Sequence, residues 1–160
     1  MRLLRPLLHR PTTERDGATA VEVALTLPIF GILLAGLMEF SHYFMVVHTL
    51  NAAARKGAHY GSYQGITNAQ VTSQVQTTVG AAFAATKATI SICDGSSFDT
   101  SNFNASTANY NTLPTVDLTQ CKTGANFIVQ VSVPYNNVAL LPPWWIQGAT
   151  VTGRAVMRHE

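Results

Sequence analysis

The chain has 160 residues, of which 11% are charged, and its formal net charge is +2. Four arginines before residue 16 supply much of that charge, so the remainder is close to neutral and carries no basic patch of the kind that binds nucleic acid. The sequence has no G-x-S-x-G, no H-E-x-x-H and no phosphate-binding loop, and its histidines lack metal-ligand spacing. We therefore expect no enzyme, and no metal, cofactor or nucleic-acid site.

An uncharged apolar run follows Glu22 and ends at Met38. A helix over Val21–Val47 would extend roughly 40 Å at about 1.5 Å per residue, which exceeds the ~30 Å hydrocarbon core of a bilayer. The run is also longer than the roughly 7–15 apolar residues of a cleaved signal peptide, which favours a helix that stays in the membrane. The sequence therefore predicts a single-pass membrane protein.

The charges that flank the apolar run predict its orientation. Four arginines precede the run, whereas the first cations after it are Arg55 and Lys56. Because Lys and Arg close to a span stay in the cytoplasm, we expect the N-terminus inside and the C-terminal part exported. The predicted segments are a basic cytoplasmic leader at 1–17, a transmembrane helix at 18–47 and an exported domain at 48–160.

Small residues and a proline inside the span bear on how this helix packs. Pro28 removes a backbone donor and crowds the Ala24 carbonyl, so we expect a kink that lets the helix bend where it packs against other helices. Membrane helices also tolerate proline without such a role. Gly31 and Ala35 form a small-xxx-small pair through which helices approach closely, and Gly36 widens that surface.

Two periodic apolar patterns predict helices in the exported part. The first continues the membrane helix at steps of three and four, through Phe40, Phe44, Val47, Leu50, Ala54 and Ala58. The second begins at Thr67 and has a core-facing stripe at Val71, Val75, Val79 and Phe83.

Runs of β-formers predict three strands after the helices, at Ala88–Cys93, Phe127–Val133 and Thr150–Met157. The middle run alternates most clearly, and Pro134 ends it. Together these elements predict an α+β chain: a long N-terminal membrane helix that extends into an exported domain with a second helix and a small antiparallel sheet.

Cys93 and Cys121 both fall in the predicted exported domain, where an oxidising compartment permits a disulfide. The segment between them is so polar that we expect a bridge to hold it, with a stabilisation of roughly 3–4 kcal/mol. Two buried free thiols are the alternative. Phe98, Phe103 and Tyr110 are expected to pin this segment to the core.

Two further sites have several interpretations. Glu39, three residues before His42, is expected in water at the exported membrane surface or in a local pair with that histidine. Trp144 and Trp145 follow two prolines and would contact lipid, contact another subunit or pack against the sheet, of which packing is the simplest.

The residues at the start of the span allow one specific electrostatic contact. If a membrane protease cuts between Gly17 and Ala18, the new amino group lies four residues before Glu22, about one helical turn away. In a bundle of such helices the Glu22 carboxylate can instead meet the amino terminus of a neighbouring subunit. That contact would fix the axial register of the subunits.

Gly17, the following Ala18–Glu22 and the apolar helix resemble the type IV prepilin junction. More narrowly, residues 15–28 are similar to the opening of the TadE-like and TadG-like proteins of the tight-adherence (Flp, type IVb) pilus. Residues 51–61 and 151–160 resemble two further stretches of that family, and the length fits its shorter TadE-like pseudopilins.

The resemblance implies a minor pilin-like subunit that a prepilin peptidase cuts after Gly17 and that enters the pilus at its tip or base. Its implied partners are the major pilin, a companion pseudopilin, the inner-membrane assembly platform and, transiently, the peptidase. Its implied location is the bacterial inner membrane, or the extracellular pilus after assembly. The alternative is an uncleaved, membrane-anchored adhesin or ligand-binding domain that acts outside any filament.

Overall fold

The computed structural model of the chain describes residues 13–100, 104 and 108–160. Phe103 and most of the predicted leader at 1–17 lie outside the described residues. The helices of the described part are α1 at Thr13–Gly61, α2 at Asn68–Gly80 and the single turn α3 at Tyr135–Val138. Its strands are β1 at Thr89–Asp94, β2 at Asn126–Pro134 and β3 at Thr150–Arg158.

The three strands form one antiparallel sheet in the order β1-β2-β3, with β2 in the centre. The predicted α+β class, the second helix and the small antiparallel sheet are therefore confirmed. Internal contacts divide the chain into two compact units, Met1–Met38 and Glu39–Glu160. Residues 39–47 fold as part of the second unit, and the predicted boundary between span and exported domain stays a prediction.

Helix α1 is 49 residues long, as expected for a first helix that continues past the span. Phe40 and Phe44 are exposed, contrary to the predicted stripe. The residues that face the core here are the ones just before them, Glu39, which is buried, and Tyr43, which is partly buried. From Leu50 onward the predicted stripe is confirmed. The fully buried residues of α1 are Val46, Leu50, Ala53, Ala54 and Ala58.

Helix α2 begins with a capping box and buries one stripe. The Thr67 hydroxyl accepts from the Gln70 N–H, while the Gln70 side-chain oxygen accepts from the Thr67 N–H at 2.9 Å. Val71, Val75 and Val79 are fully buried, which confirms that this stripe belongs to the core.

The central strand β2 has both faces covered. As its alternation predicts, one face is fully buried at Phe127, Val129, Val131 and Val133. On the other face the Gln130 side chain donates to Asn111 Oδ1 at 3.1 Å and accepts from Arg154 Nε at 2.9 Å. The Arg154 guanidinium lies 4.1 Å from the centre of the Tyr110 ring. The polar segment before β2 therefore closes the second face through side-chain contacts.

Cys93 and Cys121 are free thiols, so the predicted disulfide is not supported. The prediction assumed that the polar segment between them needs a covalent tie. Backbone bonds tie it instead, because the Asp94 N–H donates to the Pro114 carbonyl at 2.9 Å and Cys93 forms an isolated β-bridge with Thr115.

The surroundings of the two thiols favour their protonated form. Burial raises the pKa of the Cys93 thiol. Burial also raises the pKa of the Cys121 thiol, and the carboxylates of Asp94 and Asp117 raise it further. A protonated thiol is a poor nucleophile, so neither cysteine has the surroundings of a reactive one.

The sheet and α1 approach each other closely at Gly153 in β3. A Cβ built on Gly153 would overlap the backbone of Leu50 and Asn51. At Gly57 the neighbour is a side chain, that of Val75. Backbone atoms cannot move aside by a rotamer change, so Gly153 sets the separation between α1 and the sheet.

We expect Gly153→Ala to destabilise the second unit by about 1–3 kcal/mol, because the added methyl forces α1 away from β3. The measurement is thermal unfolding of the full chain in detergent, followed by circular dichroism. Gly80→Ala at the end of α2 is the matched control, since its Cβ meets no atom within 4 Å and should be neutral or stabilising by up to ~1 kcal/mol. Equal melting of the two variants would contradict this packing.

Candidate functional site

The predicted cleavage junction lies inside α1. Gly17 and Ala18 are helical and exposed. No described atom lies within 4 Å of a Cβ built on Gly17. A larger side chain at this position would therefore meet no steric obstacle among the described residues.

Glu22 lies one helical turn after Ala18 and is exposed. The Thr26 hydroxyl donates to the Glu22 backbone carbonyl at 2.9 Å, so this polar group is satisfied within the helix. Among the described residues, no hydrogen bond or ion pair to the Glu22 carboxylate is present. The carboxylate is thus open to a group from another chain.

The remaining predicted packing residues also lie in α1. The helix continues through Pro28, which leaves the Ala24 carbonyl without its usual N–H donor. Gly31 is exposed, and Ala35 and Gly36 are half-buried. Gly31 and Ala35 share one helix face by their spacing, and their role in contacts between helices stays a prediction.

One helix of the described part, over Gly17–Gly61, is long and apolar enough to cross a membrane. In the first unit its large apolar side chains are exposed: Val21 to 70%, Leu25 to 71% and Ile29 to 66%. A surface that is apolar on all sides is typical of a membrane span.

Glu39, directly after the apolar run, has surroundings that differ from both expectations. Its side chain is only 8% exposed. The carboxylate oxygens accept from the backbone N–H groups of Trp144, Trp145 and Ile146 at 2.8 to 3.3 Å. The predicted solvation of Glu39 and its predicted pairing with His42 are therefore both wrong.

A second contact joins the same turn of α1 to α3. The Tyr135 hydroxyl donates to the Glu39 carbonyl at 3.1 Å, and His42 Nδ1 lies 3.3 Å from the same hydroxyl oxygen. Since a hydroxyl has one proton, His42 is the donor in that pair. Burial raises the pKa of Tyr135, and the Glu39 carboxylate raises it further, so the hydroxyl keeps its proton.

Comparison with known families bears on α1 alone. Residues 17–59 match the family model of the TadE-like proteins. The matched stretch contains Glu22 and Glu39 and ends before α2. It confirms the resemblance for this stretch, whereas the resemblance at residues 151–160 stays a prediction. TadE-like proteins belong to a pilus system, so the match indicates a pilus-system component. No curated protein matches the chain significantly. No solved structure matches it significantly either.

Outside the TadE-like stretch, the loop that holds Glu39 carries the two tryptophans. Trp144 is 73% exposed and Trp145 is 45% exposed, with their ring centres 5.9 Å apart. The interpretation that these rings pack against the sheet is therefore wrong. Sequence reasoning missed the contact with Glu39 because the two partners are about 100 positions apart.

One signal in the sequence could have indicated this contact. Pro142 and Pro143 have no N–H. The first N–H groups after the two prolines are those of residues 144–146, and each of them needs an acceptor. A carboxylate that ends an apolar run is a strong acceptor. Within the described ranges, no cluster of three His, Cys, Asp or Glu residues that could hold a metal ion occurs.

We expect Glu39→Ala to release the loop, because the N–H groups of residues 144–146 lose their acceptor. Hydrogen exchange at these amides should speed up by at least about tenfold, measured by mass spectrometry on the full chain in detergent. Glu22→Ala is the matched control, since it removes a carboxylate from the same helix that has no partner in the described part of the chain. Unchanged exchange in Glu39→Ala would refute the contact.

Proposed function

We propose that this TadE-like chain is a minor, pilin-like structural subunit that a tight-adherence (Flp, type IVb) pilus needs for its assembly. The observation that carries the proposal is the family match over a helix whose apolar side chains and Glu22 carboxylate are exposed. Such a surface needs lipid or other helices around it. Both surroundings occur during the assembly of a filament from membrane subunits.

In this proposal α1 anchors the subunit in the bacterial inner membrane, with the N-terminus inside and the sheet exported. The orientation rests on the arginines before Gly17 and on the positive-inside rule. Exposed apolar side chains on all sides of the first unit support residence in lipid. The role is structural rather than catalytic.

Processing by a prepilin peptidase is the next step of the proposal. Cleavage after Gly17 would create an ammonium group on Ala18, one turn before Glu22. The junction is helical, so the peptidase has to open the first turns of α1, and glycine weakens a helix by about 1 kcal/mol relative to alanine. Glycine at this position therefore eases access to the bond.

Assembly then uses the Glu22 carboxylate. In a bundle of helices it meets the amino terminus of a neighbouring subunit, which is the major pilin or a companion pseudopilin. Because an unpaired carboxylate is costly in hydrocarbon, only the register that pairs these groups is favourable. The inner-membrane platform would present subunits for this step, and the finished subunit would lie at the tip or the base of the pilus.

We expect the mature chain to begin at Ala18, as measured by N-terminal sequencing or intact mass of protein extracted from piliated cells. Gly17→Ala should lower the amount of cleaved chain by at least about tenfold. The fold should not change, since a Cβ at Gly17 meets no described atom. Gly31→Ala is the matched control and should be processed normally. A mature chain that still starts at Met1 in cells with normal pili would contradict the proposal.

We expect Glu22→Ala to permit insertion and cleavage but to lower the number of pili by at least about tenfold, because the positive group of the neighbour loses its partner. The measurements are a pilus count by electron microscopy and an immunoblot of sheared surface fractions. Thr26→Ala is the control, since it removes a polar group that is already satisfied within the helix. Normal pili in Glu22→Ala would refute the register role. If the chain stays with the cells when pili are sheared off, an adhesin outside the filament is favoured.

A further inference from the structure

We propose that the loop at residues 140–146 is a second lipid contact, held at the membrane surface by Glu39. The proposal rests on the membrane anchoring in the proposed function. It adds a binding surface in the second unit and a role for Glu39, and it names the partner, which is the interfacial region of the bilayer.

The loop is apolar, exposed and uncharged. Residues 140–146 contain no polar side chain. The most exposed of them are Leu140 and Trp144, each at 73%, followed by Leu141 at 48% and Trp145 at 45%. Large apolar side chains grouped in this way mark an interaction surface. Tryptophan and leucine are the residues that such a surface uses at a lipid boundary.

The loop is also held in one conformation. Three of its N–H groups donate to the Glu39 carboxylate. The Gln147 side chain donates to the Pro143 carbonyl at 2.8 Å, and the Gly148 N–H donates to Asn136 Oδ1 at 3.1 Å. Because these bonds fix the loop in advance, its exposed apolar side chains can contact a partner at little further cost in entropy.

The position of Glu39 in the chain indicates that lipid covers this surface. Glu39 is the first charged residue after the apolar run that ends at Met38. If that run spans the bilayer, Glu39 lies at the boundary with water, because a charged side chain is costly deeper in the hydrocarbon. A loop bonded to the Glu39 carboxylate lies at the same level. Phe40 and Phe44, which follow Glu39 on α1, are exposed as well.

The fluorescence of the chain can test this directly, since its only two tryptophans are in the loop. The full chain is reconstituted into vesicles of phosphatidylethanolamine and phosphatidylglycerol, with or without lipids that carry bromine near the headgroup or near the chain end. We expect bromine near the headgroup to lower tryptophan emission at least about twofold, and deep bromine to lower it less. Emission that bromine leaves unchanged would overturn the proposal.

Variants separate the loop from the rest of the chain. Leu140→Ser should reduce the quenching, because it removes an apolar side chain that would contact lipid. The variant keeps both tryptophans, and Leu140 is exposed rather than part of the core. Glu39→Ala should reduce it too, because the loop loses its attachment, whereas Glu39→Gln keeps an acceptor oxygen and should retain part of it. Equal quenching in all three variants and the parent would overturn the role of Glu39.

A moved reporter is the matched control. In a chain with Trp144→Phe and Trp145→Phe, the further change Tyr63→Trp puts a tryptophan at another exposed aromatic position, 46% exposed just after the end of α1. The last helical residue before it, Gly61, is about 33 Å along α1 from Glu39, so we expect no quenching. Strong quenching there would mean that the bromine effect is not specific to the loop, and would count against the proposal.

Flotation of the vesicles separates this proposal from the proposed function. A chain that floats but is not quenched keeps its membrane anchor and lacks the lipid contact of the loop. A chain that does not float refutes the anchor itself. A blue shift of the emission that needs added major pilin and does not occur with lipid alone would assign the loop to a subunit contact, which also overturns the lipid proposal.

Discussion

Helix α1 has to suit two different surroundings: its first part exposes apolar side chains, and its second part packs into the core of a folded unit. The rest of the structure follows from that constraint. In the first unit α1 is apolar on all sides, and large aliphatic side chains such as Val21, Leu25 and Ile29 are exposed. In the second unit one face of the same helix is buried under the sheet and α2. The composition of α1 changes accordingly, from large aliphatic residues to alanine and glycine. Large residues suit lipid, and small ones allow other elements to approach closely.

Glu39 lies where the composition changes. A carboxylate with low exposure needs several donors, and three consecutive backbone N–H groups supply them. The contact joins the start of the second unit to the connection between α3 and β3. The hydroxyl of Tyr135 bonds the Glu39 carbonyl and strengthens the same junction. The side chain that limits the apolar run therefore also organises the loop with the tryptophans.

Small residues control the packing inside the second unit. Gly153 lets the backbone of α1 approach β3, and Gly57 admits the side chain of Val75. The core is therefore built mainly from valine and alanine at short distances, with Phe127 and Tyr135 as its large aromatic residues. The polar segment between β1 and β2 needs no covalent tie, since backbone bonds and the contacts of Gln130 hold it.

The sequence alone determined the elements and the TadE-like resemblance of α1, because both depend on neighbouring residues. Periodicity gave α2 and the strands, and the residues from Gly17 to Glu22 gave the family resemblance. The tertiary structure decided what the chain brings together over long separations. Glu39 meets a loop about 100 residues away, Phe40 and Phe44 lie outside the core, and the two cysteines stay unbridged. Such contacts depend on how the helices and strands pack against one another. Hydrophobic periodicity describes each element separately, so it does not indicate which distant N–H groups a buried carboxylate will bind.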